Sequence, residues 1–348
     1  MARTVPQPTA APQPLAAETL ATLDEVRRDT LALVAHLDDG ELERTLSPIM
    51  SPLVWDLAHI AAYEDLWLAH RHAGLELLRP DLAELYDAFE TPRAVRGEVE
   101  LLDAPEARTY LEDVRERVAL ALARAGVGDG VLAELVLRHE LQHTETMRQT
   151  MALAGLLPAG EPSLEPVAGT ESGDEWIEVP PGPFEMGAPA DGFAYDNERP
   201  RHTVELPAFA IARRPVTNAS WARFEQGPPR GHPDAPVCHL SWFEAQAYAE
   251  ARGARLPSEA EWEKAATRGL LAGVGQVWEW TSSPFRGYPG FVAYPYREYS
   301  EVFFGEDYRV LRGGSWATHP RVASLTFRNW DLPLRQQIFA GVRLAQDG

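Results

Sequence analysis

Two histidines stand four residues apart in the stretch RHELQHTETM, residues 138–147. On a helix, His139 and His143 lie one turn apart on one face, so both imidazoles can bind the same metal ion. The letters His-Glu-x-x-His are also the signature of zinc metalloproteases, in which the glutamate is the general base. The alternative is one core histidine and one surface histidine, and the spacing alone does not decide between these readings.

A peptidase needs a third zinc ligand that this chain does not offer. The long form of the motif requires glycine at position 146 and histidine at position 149, where the chain has Thr146 and Gln149. The thermolysin type requires a downstream glutamate on another helix. Glu161 and Glu165 fall instead in a segment rich in proline and glycine. The sequence therefore argues against a peptidase.

A better third ligand lies upstream, in SPLVWDLAHIAAYEDLWLAH, residues 51–70. His59 sits on an apolar helical face there, and facing helices of a bundle can deliver ligands to one interior site. Standing alone, it would be read as a hydrogen-bonded core histidine. With His139 and His143 it completes a set of three neutral imidazoles, which suits zinc, iron or copper. Such a set leaves coordination positions open, as catalytic sites do.

The elements that must position these residues are helical. Apolar residues recur at spacings of three and four from residue 15 to 157, and they predict helices at about 17–38, 48–74, 106–126 and 130–155. Gly126, Gly128 and Gly130 separate the last two, which we expect to pack as antiparallel neighbours. The first half is therefore predicted to be a four-helix bundle, residues 15–157.

The second half has a different pattern. Residues 158–175 lack helical periodicity and are rich in proline, glycine, serine and glutamate, which predicts a linker. Beyond it, WIEVP, HTVEL and YRVLRGG are typical of strands, and helical signal is confined to about 218–226 and 241–252. Residues 176–348 are predicted to form an irregular, loop-rich domain of mixed α and β structure.

The amino-acid composition limits the classes of partner that this protein can bind. A chain of 348 residues is long enough for two domains, and its net charge of -20 argues against nucleic acid or an anionic membrane as a partner. No apolar run reaches the roughly 20 residues of a membrane helix. Cys238 is the single cysteine, which fits a reducing compartment. Residues 1–14 predict a disordered leader rather than a signal peptide. We expect a cytoplasmic monomer.

Long motifs in the second half resemble formylglycine-generating-enzyme-like domains, which have a C-type-lectin-like fold. The motifs are LPSEAEWEKAA (256–266), VWEWTSSPF (277–285), YREYSEVFFG (296–305), YRVLRGGSW (308–316) and FRNWDLPLRQQIFAGVRLA (327–345). Together with His59 and His139-x-x-x-His143, followed by Thr144 and Glu145, they resemble the ergothioneine-pathway sulfoxide synthases (hercynine oxygenases). That family joins a DinB-like four-helix bundle to such a domain, and the resemblance covers nearly all of the chain after the leader.

The resemblance implies oxidative carbon–sulfur bond formation at a non-haem Fe(II) centre. In this family iron, O2 and the thiol γ-glutamylcysteine place a sulfoxide on C2 of the imidazole of hercynine, the trimethylated betaine of histidine. The implied iron ligands are His59, His139 and His143. Three protein ligands leave room for a thiolate, O2 and a substrate imidazole or water.

The resemblance also implies substrate contacts. Those expected for hercynine are Gln142, Asn329 and Trp330. An aromatic face such as that of Trp330 suits a trimethylammonium group. Those expected for the γ-glutamylcysteine carboxylates are Arg93 and Arg96 with Asp331 and Arg335. Arginine suits the role because its planar fork meets a carboxylate with two hydrogen bonds.

A tyrosine near the iron donates a proton to reduced oxygen in this family. The chain offers Tyr294, Tyr296 and Tyr299 in one run. Tyr296 is the preferred donor, with Tyr299 as a water-linked neighbour. A phenol of pKa near 10 can donate without being ionised at rest.

The sequence departs from the family patterns in two respects, and three alternative functions remain open. Only RGLLAGVGQ, residues 268–276, stands where the family has a longer insertion, and the histidine and Asn-Trp-Asp motifs are untouched. A single cysteine argues against sulfatase maturation, which uses a cysteine pair. The alternatives are the same chemistry with cysteine and histidine or hercynine, or with a selenium donor; a zinc-dependent DinB-type thiol transferase; and a non-catalytic binding protein.

Overall fold

The structure is a computed structural model that describes residues 16–167 and 175–348. The chain divides into two units, Met1–Pro158 and Ala159–Gly348. The predicted leader, 1–14, and residues 168–174 of the predicted linker lie outside the described residues. In the described ranges, no helix is long and apolar enough to cross a membrane.

The first unit is helical, as its periodicity predicts. Its helices are α1 (Ala16–Val34), α2 (Asp39–Glu43), α3 (Leu53–Glu64), α4 (Ala104–Ala125) and α5 (Val131–Ala154), and π-helical turns at Asp65–His72 continue α3. The predicted segment 48–74 becomes helical only at Leu53. Pro52 explains the late start, because proline disfavours helical backbone in the residue before it.

Helix α3 occupies the centre of this unit. All of its residues except Ala62 are buried, and it packs against both α4 and α5. A helix that is covered on every side belongs to the interior. This one nevertheless carries Asp56, His59 and Glu64, so each of these polar groups needs a partner inside the protein.

One packing prediction is wrong. Helices α4 and α5 are consecutive, but α4 packs mainly against α3, and α5 packs against α1 and α3. Among the described residues, α4 and α5 are not major packing partners of each other. The reason is that α3 and a group of buried ion pairs take the place between them.

Those ion pairs connect four helices. Arg27 of α1 donates to both carboxylate oxygens of Glu140 on α5, at 2.8 and 3.1 Å, and to Glu64 of α3 at 2.7 Å. Arg115 of α4 donates to both oxygens of Glu64, at 2.7 and 3.0 Å. Burial acts to raise the pKa of Glu64, but Arg27 and Arg115 outweigh it and hold that pKa below its usual value. Glu64 therefore stays ionised.

The second unit is built from short strands and helices. The strands are β1 (Trp176–Val179), β2 (Gly182–Met186), β3 (His202–Leu206), β4 (Phe209–Ala212), β5 (Trp278–Pro284), β6 (Arg309–Arg312), β7 (Asn329–Asp331), β8 (Ala340–Gly341) and β9 (Ala345–Asp347). They form sheets in the orders β1-β4-β9, β2-β3 and β7-β6-β5-β8. The helices are α6 (Asn218–Glu225), α7 (Trp242–Ala251) and α8 (Glu259–Thr267).

These elements agree with most of the sequence predictions. The three predicted strands are β1, β3 and β6, and the two predicted helices are α6 and α7, whereas α8 lies outside the segments predicted to be helical. Buried arginines support the irregular chain between the elements. Arg343 forms two hydrogen bonds with Glu279 and donates to the main-chain oxygens of Ala212 and Ala272. Irregular backbone has carbonyls without ladder partners, and a guanidinium group can satisfy several of them.

Replacing Glu140 with alanine should lower the free energy of unfolding of the helical unit by about 3–5 kcal/mol, because Arg27 then keeps a buried charge that has lost a main partner. Urea unfolding followed by far-UV circular dichroism measures the change. The control is Asp39→Asn, which weakens the exposed Arg108–Asp39 pair and should cost less than about 1 kcal/mol. Equal losses in the two variants would contradict the role given to the network.

Candidate metal centre

The three histidines converge inside the first unit. His59 comes from α3, and His139 and His143 come from successive turns of α5. One nitrogen from each ring lies within 4.8 Å of the others, and the Nε2 atoms of His59 and His139 are 3.1 Å apart. Metal–nitrogen bonds of about 2.1 Å place neighbouring ligand atoms about 3.0–3.4 Å apart. The donor set therefore fits a single metal ion.

Hydrogen bonds fix two of the rings. His59 Nδ1 donates to the main-chain oxygen of Tyr86 at 2.6 Å, and His143 Nδ1 donates to Asp56 Oδ1 at 2.8 Å. A proton held on Nδ1 leaves the lone pair on Nε2 for a metal. The tautomer needed for ligation is thus set by residues that do not bind the metal themselves.

Aromatic side chains hold the rings from the sides. Trp55, one turn before His59, stacks on it with ring centroids 4.5 Å apart. Tyr63, one turn after His59, stacks on His139 at 3.6 Å. These contacts restrict rotation of both imidazoles and cover one face of each ring.

The electrostatics favour neutral imidazoles. Burial lowers the pKa of His59 and of His143 to about 3, and it lowers that of His139 well below its ordinary value. His143 and the charge of Arg96 act in the same direction on the pKa of His59. A metal ion at neutral pH would therefore meet three unprotonated nitrogens and would have no proton to displace.

The glutamate of the His-Glu-x-x-His stretch has another role. Glu140 is buried, and both of its carboxylate oxygens accept from Arg27. A carboxylate used in this way does not serve as the general base of a peptidase. The geometry thus agrees with the absence of a suitable third peptidase ligand in the sequence.

The two arginines expected to bind substrate differ in exposure. Arg93 is exposed on a short 3-10 turn, and its positive charge helps to lower the pKa of His143. Arg96 is only 4% exposed, and its guanidinium centre lies 3.5 Å from the ring centroid of Trp55. Its donors bond to Thr91 O, Ser51 Oγ and Ala88 O. Gln142 is half-buried on α5, beside His143.

The remaining predicted site residues lie in the second unit. Asn329, Trp330 and Asp331 form β7, and Arg335 lies 3.7 Å from Asp331. Trp330 stacks on Phe285 at 4.2 Å. The ring of Tyr299 is edge-on to Trp330 at 5.9 Å, and Tyr296 is edge-on to Tyr299 at 6.2 Å.

Sequence reasoning missed the residues that surround the histidines. Asp56 precedes His59 by three positions, and Trp55 and Tyr63 stand four positions to either side. This spacing places all of them near His59 along one side of a helix. Helical spacing was therefore a usable signal for them, whereas Arg27, far away in the sequence, gave none.

Comparisons with known proteins agree with the two units. The family model of the DinB superfamily matches residues 22–147. The model of the sulfatase-modifying factor enzyme 1-like domain matches residues 162–273 and 269–348. The predicted fold class, a DinB-like bundle followed by a formylglycine-generating-enzyme-like domain, is thereby confirmed. The second model's two matched stretches meet at 269–273, inside the short segment 268–276.

Individual relatives match nearly the whole chain. The hercynine oxygenase of Mycolicibacterium smegmatis is 39% identical, with 96% of this chain and 100% of that protein covered. The hercynine oxygenase of Mycobacterium tuberculosis is 40% identical, with 93% and 97% covered. Ergothioneine biosynthesis protein 1 of Neurospora crassa is 42% identical over 21% of this chain and 9% of its own length.

Proposed function

The chain belongs to the hercynine oxygenase family, and from this premise we propose that it is an Fe(II)-dependent sulfoxide synthase of ergothioneine biosynthesis. It joins γ-glutamylcysteine to C2 of the hercynine imidazole with O2. The observation that carries the proposal is the convergence of His59, His139 and His143 on one point. In the part of the chain that the structure describes, no carboxylate or thiolate joins this group.

The reaction balances with O2 as the only oxidant. The thiol loses its hydrogen and hercynine loses the hydrogen on C2, while a carbon–sulfur bond forms. One oxygen atom is retained on sulfur as the sulfoxide, and the other leaves as water with the two hydrogens. Iron(II) held by the three histidines would supply the redox chemistry toward O2 that zinc lacks.

Hercynine recognition is assigned to amide and aromatic groups. Trp330 and the neighbouring Tyr299 offer aromatic rings to the trimethylammonium cation. Asn329 and Gln142 are the proposed partners of the substrate imidazole and carboxylate. A cation with no N–H donor is held best by such faces, because hydrogen bonds cannot select it.

The thiol donor is assigned to γ-glutamylcysteine because of the arginines. Arg93 is exposed, and its charge lies close enough to His143 to lower the pKa of that histidine. It is therefore the stronger candidate to bind a substrate carboxylate. Arg96 already makes three hydrogen bonds to the protein and packs on Trp55. Asp331 and Arg335 are the other two proposed contacts of γ-glutamylcysteine.

The proposal is tested by loading the full chain with Fe(II) under anaerobic conditions, adding hercynine and γ-glutamylcysteine, and then admitting air. We expect O2 uptake that requires both substrates, and a product whose mass is that of both substrates plus O2 less one water. The zinc-loaded chain is the control and should consume no O2. Thiol conjugation by the zinc form without O2 would instead support the thiol transferase alternative.

The donor assignment predicts that Arg93→Ala raises KM for γ-glutamylcysteine by about 10- to 100-fold, since a hydrogen bond to a charged group contributes about 1.5–3 kcal/mol. Turnover with free cysteine, which lacks the γ-glutamyl carboxylate, should change much less. Steady-state O2 uptake with each donor measures both effects. If the variant keeps its full preference for γ-glutamylcysteine over cysteine, or if a selenium donor is used faster, the assignment is wrong.

The acid assignment predicts that Tyr296→Phe lowers kcat by about 100-fold or more and leaves both KM values unchanged, because only the proton donor is lost. Tyr299→Phe is the matched control. Its ring stacks flat on Tyr195 at 4.7 Å, and the phenylalanine retains that contact. A larger loss of kcat in Tyr299→Phe than in Tyr296→Phe would reverse the two roles.

A further inference from the structure

Asp56 contacts the metal centre without belonging to the ligand set. Its Oδ1 accepts from His143 Nδ1 at 2.8 Å, and its side chain is only 1% exposed. It stands three residues before His59 on α3, while His143 belongs to α5. This one hydrogen bond therefore joins the two helices that carry the ligands.

The second carboxylate oxygen of Asp56 is unsatisfied. Among the described residues, Oδ2 is buried and has no hydrogen-bond partner. The nearby guanidinium of Arg96 gives its hydrogen bonds to Thr91, Ser51 and Ala88 instead. A buried carboxylate oxygen without a hydrogen bond is costly. No cationic group in the described ranges thus donates a hydrogen bond to Asp56 Oδ2.

The hydrogen-bond acceptors of His59 and His143 differ in charge. His59 donates to a neutral main-chain oxygen of Tyr86, whereas His143 donates to a carboxylate. A carboxylate draws the Nδ1 proton toward itself and makes the opposite nitrogen more electron-rich. A dication bound at Nε2 of His143 would in turn place positive charge near the Asp56 carboxylate.

We propose that Asp56 is the anionic positioning residue of the metal centre, acting through His143 to strengthen metal binding and to favour the oxidised ion. The inference rests on the metal site of the proposed function. Three formally neutral ligands then operate with one negative charge just beyond them. The Asp56 side chain is held in position by this hydrogen bond before any metal or substrate binds.

Asp56→Asn separates charge from position, because the amide oxygen can still accept from His143 Nδ1 while the charge is gone. Co²⁺ is the probe, titrated into the full chain and measured by absorbance, and the Fe(III)/Fe(II) midpoint potential is measured separately. We expect Asp56→Asn to weaken Co²⁺ binding by about 10- to 100-fold and to raise the potential. Asp56→Glu, which restores the charge, should recover part of the affinity.

The matched control is Asp65→Asn, on the π-helical turns that continue α3. Asp65 is also 1% exposed, but it accepts from the main-chain nitrogen of Leu78 and pairs with Arg117 rather than with a candidate metal ligand. This variant should lose stability and keep its Co²⁺ affinity within about twofold. Circular dichroism confirms that each variant is folded.

The outcomes separate this inference from the proposed function. If Asp56→Asn binds Co²⁺ as the unsubstituted chain does and its potential is unchanged, the role of Asp56 is overturned. His59→Ala tests the metal site itself and should abolish tight Co²⁺ binding. Tight Co²⁺ binding by His59→Ala would remove the basis of the proposed function. If His59→Ala loses Co²⁺ binding while Asp56→Asn keeps full affinity, only the inference on Asp56 is refuted.

Discussion

The burial of charged and polar groups on α3 is the constraint on which the first unit depends. A central helix has no access to water, so each polar group on it requires a partner from a neighbouring helix. Glu64 finds two arginines, on α1 and α4. Asp56 and His59 lie one to two turns earlier, at the metal centre. The same helix thus organises the ion pairs at one end and the candidate active site at the other.

This arrangement explains why the His-Glu-x-x-His letters do not make a peptidase. On α5, His139 and His143 face α3, while Glu140 meets Arg27 of α1. Successive residues of a helix point about 100° apart, so adjacent letters of one motif reach different neighbours. One rotation of α5 about its axis thus satisfies both the Arg27–Glu140 ion pair and the approach of the imidazoles to His59.

Much of the helical unit and of its histidine site can be predicted from the sequence, but different signals predict the different parts. The helices follow from apolar periodicity, and the histidine pair follows from helical spacing. The choice of His59 needed the assumption that two helices face each other, which the structure supports. The packing of α4 was mispredicted because a short connection does not determine adjacency when a buried central helix competes for both partners. Ion pairs such as Arg27–Glu140 have no local signal, because their residues are 113 positions apart.

The second unit shows how an irregular domain tolerates a shortened segment. Residues 268–276 lead from α8 into β5, and Leu270 and Leu271 pack on the core formed by Val179, Phe209, Ile211 and Ala265. Arg343 donates to the main-chain oxygen of Ala272 in the same segment. The short connection is therefore anchored by apolar contacts and by a buried guanidinium group, and the strand β7 with its Asn-Trp-Asp sequence is kept.

The most direct test of the central claim is X-ray absorption spectroscopy of the Fe(II)-loaded full chain. The account predicts scattering from three imidazoles at about 2.1 Å, and loss of this signal in His59→Ala. A spectrum with fewer than three imidazoles in the unsubstituted chain, or one that His59→Ala leaves unchanged, would contradict it.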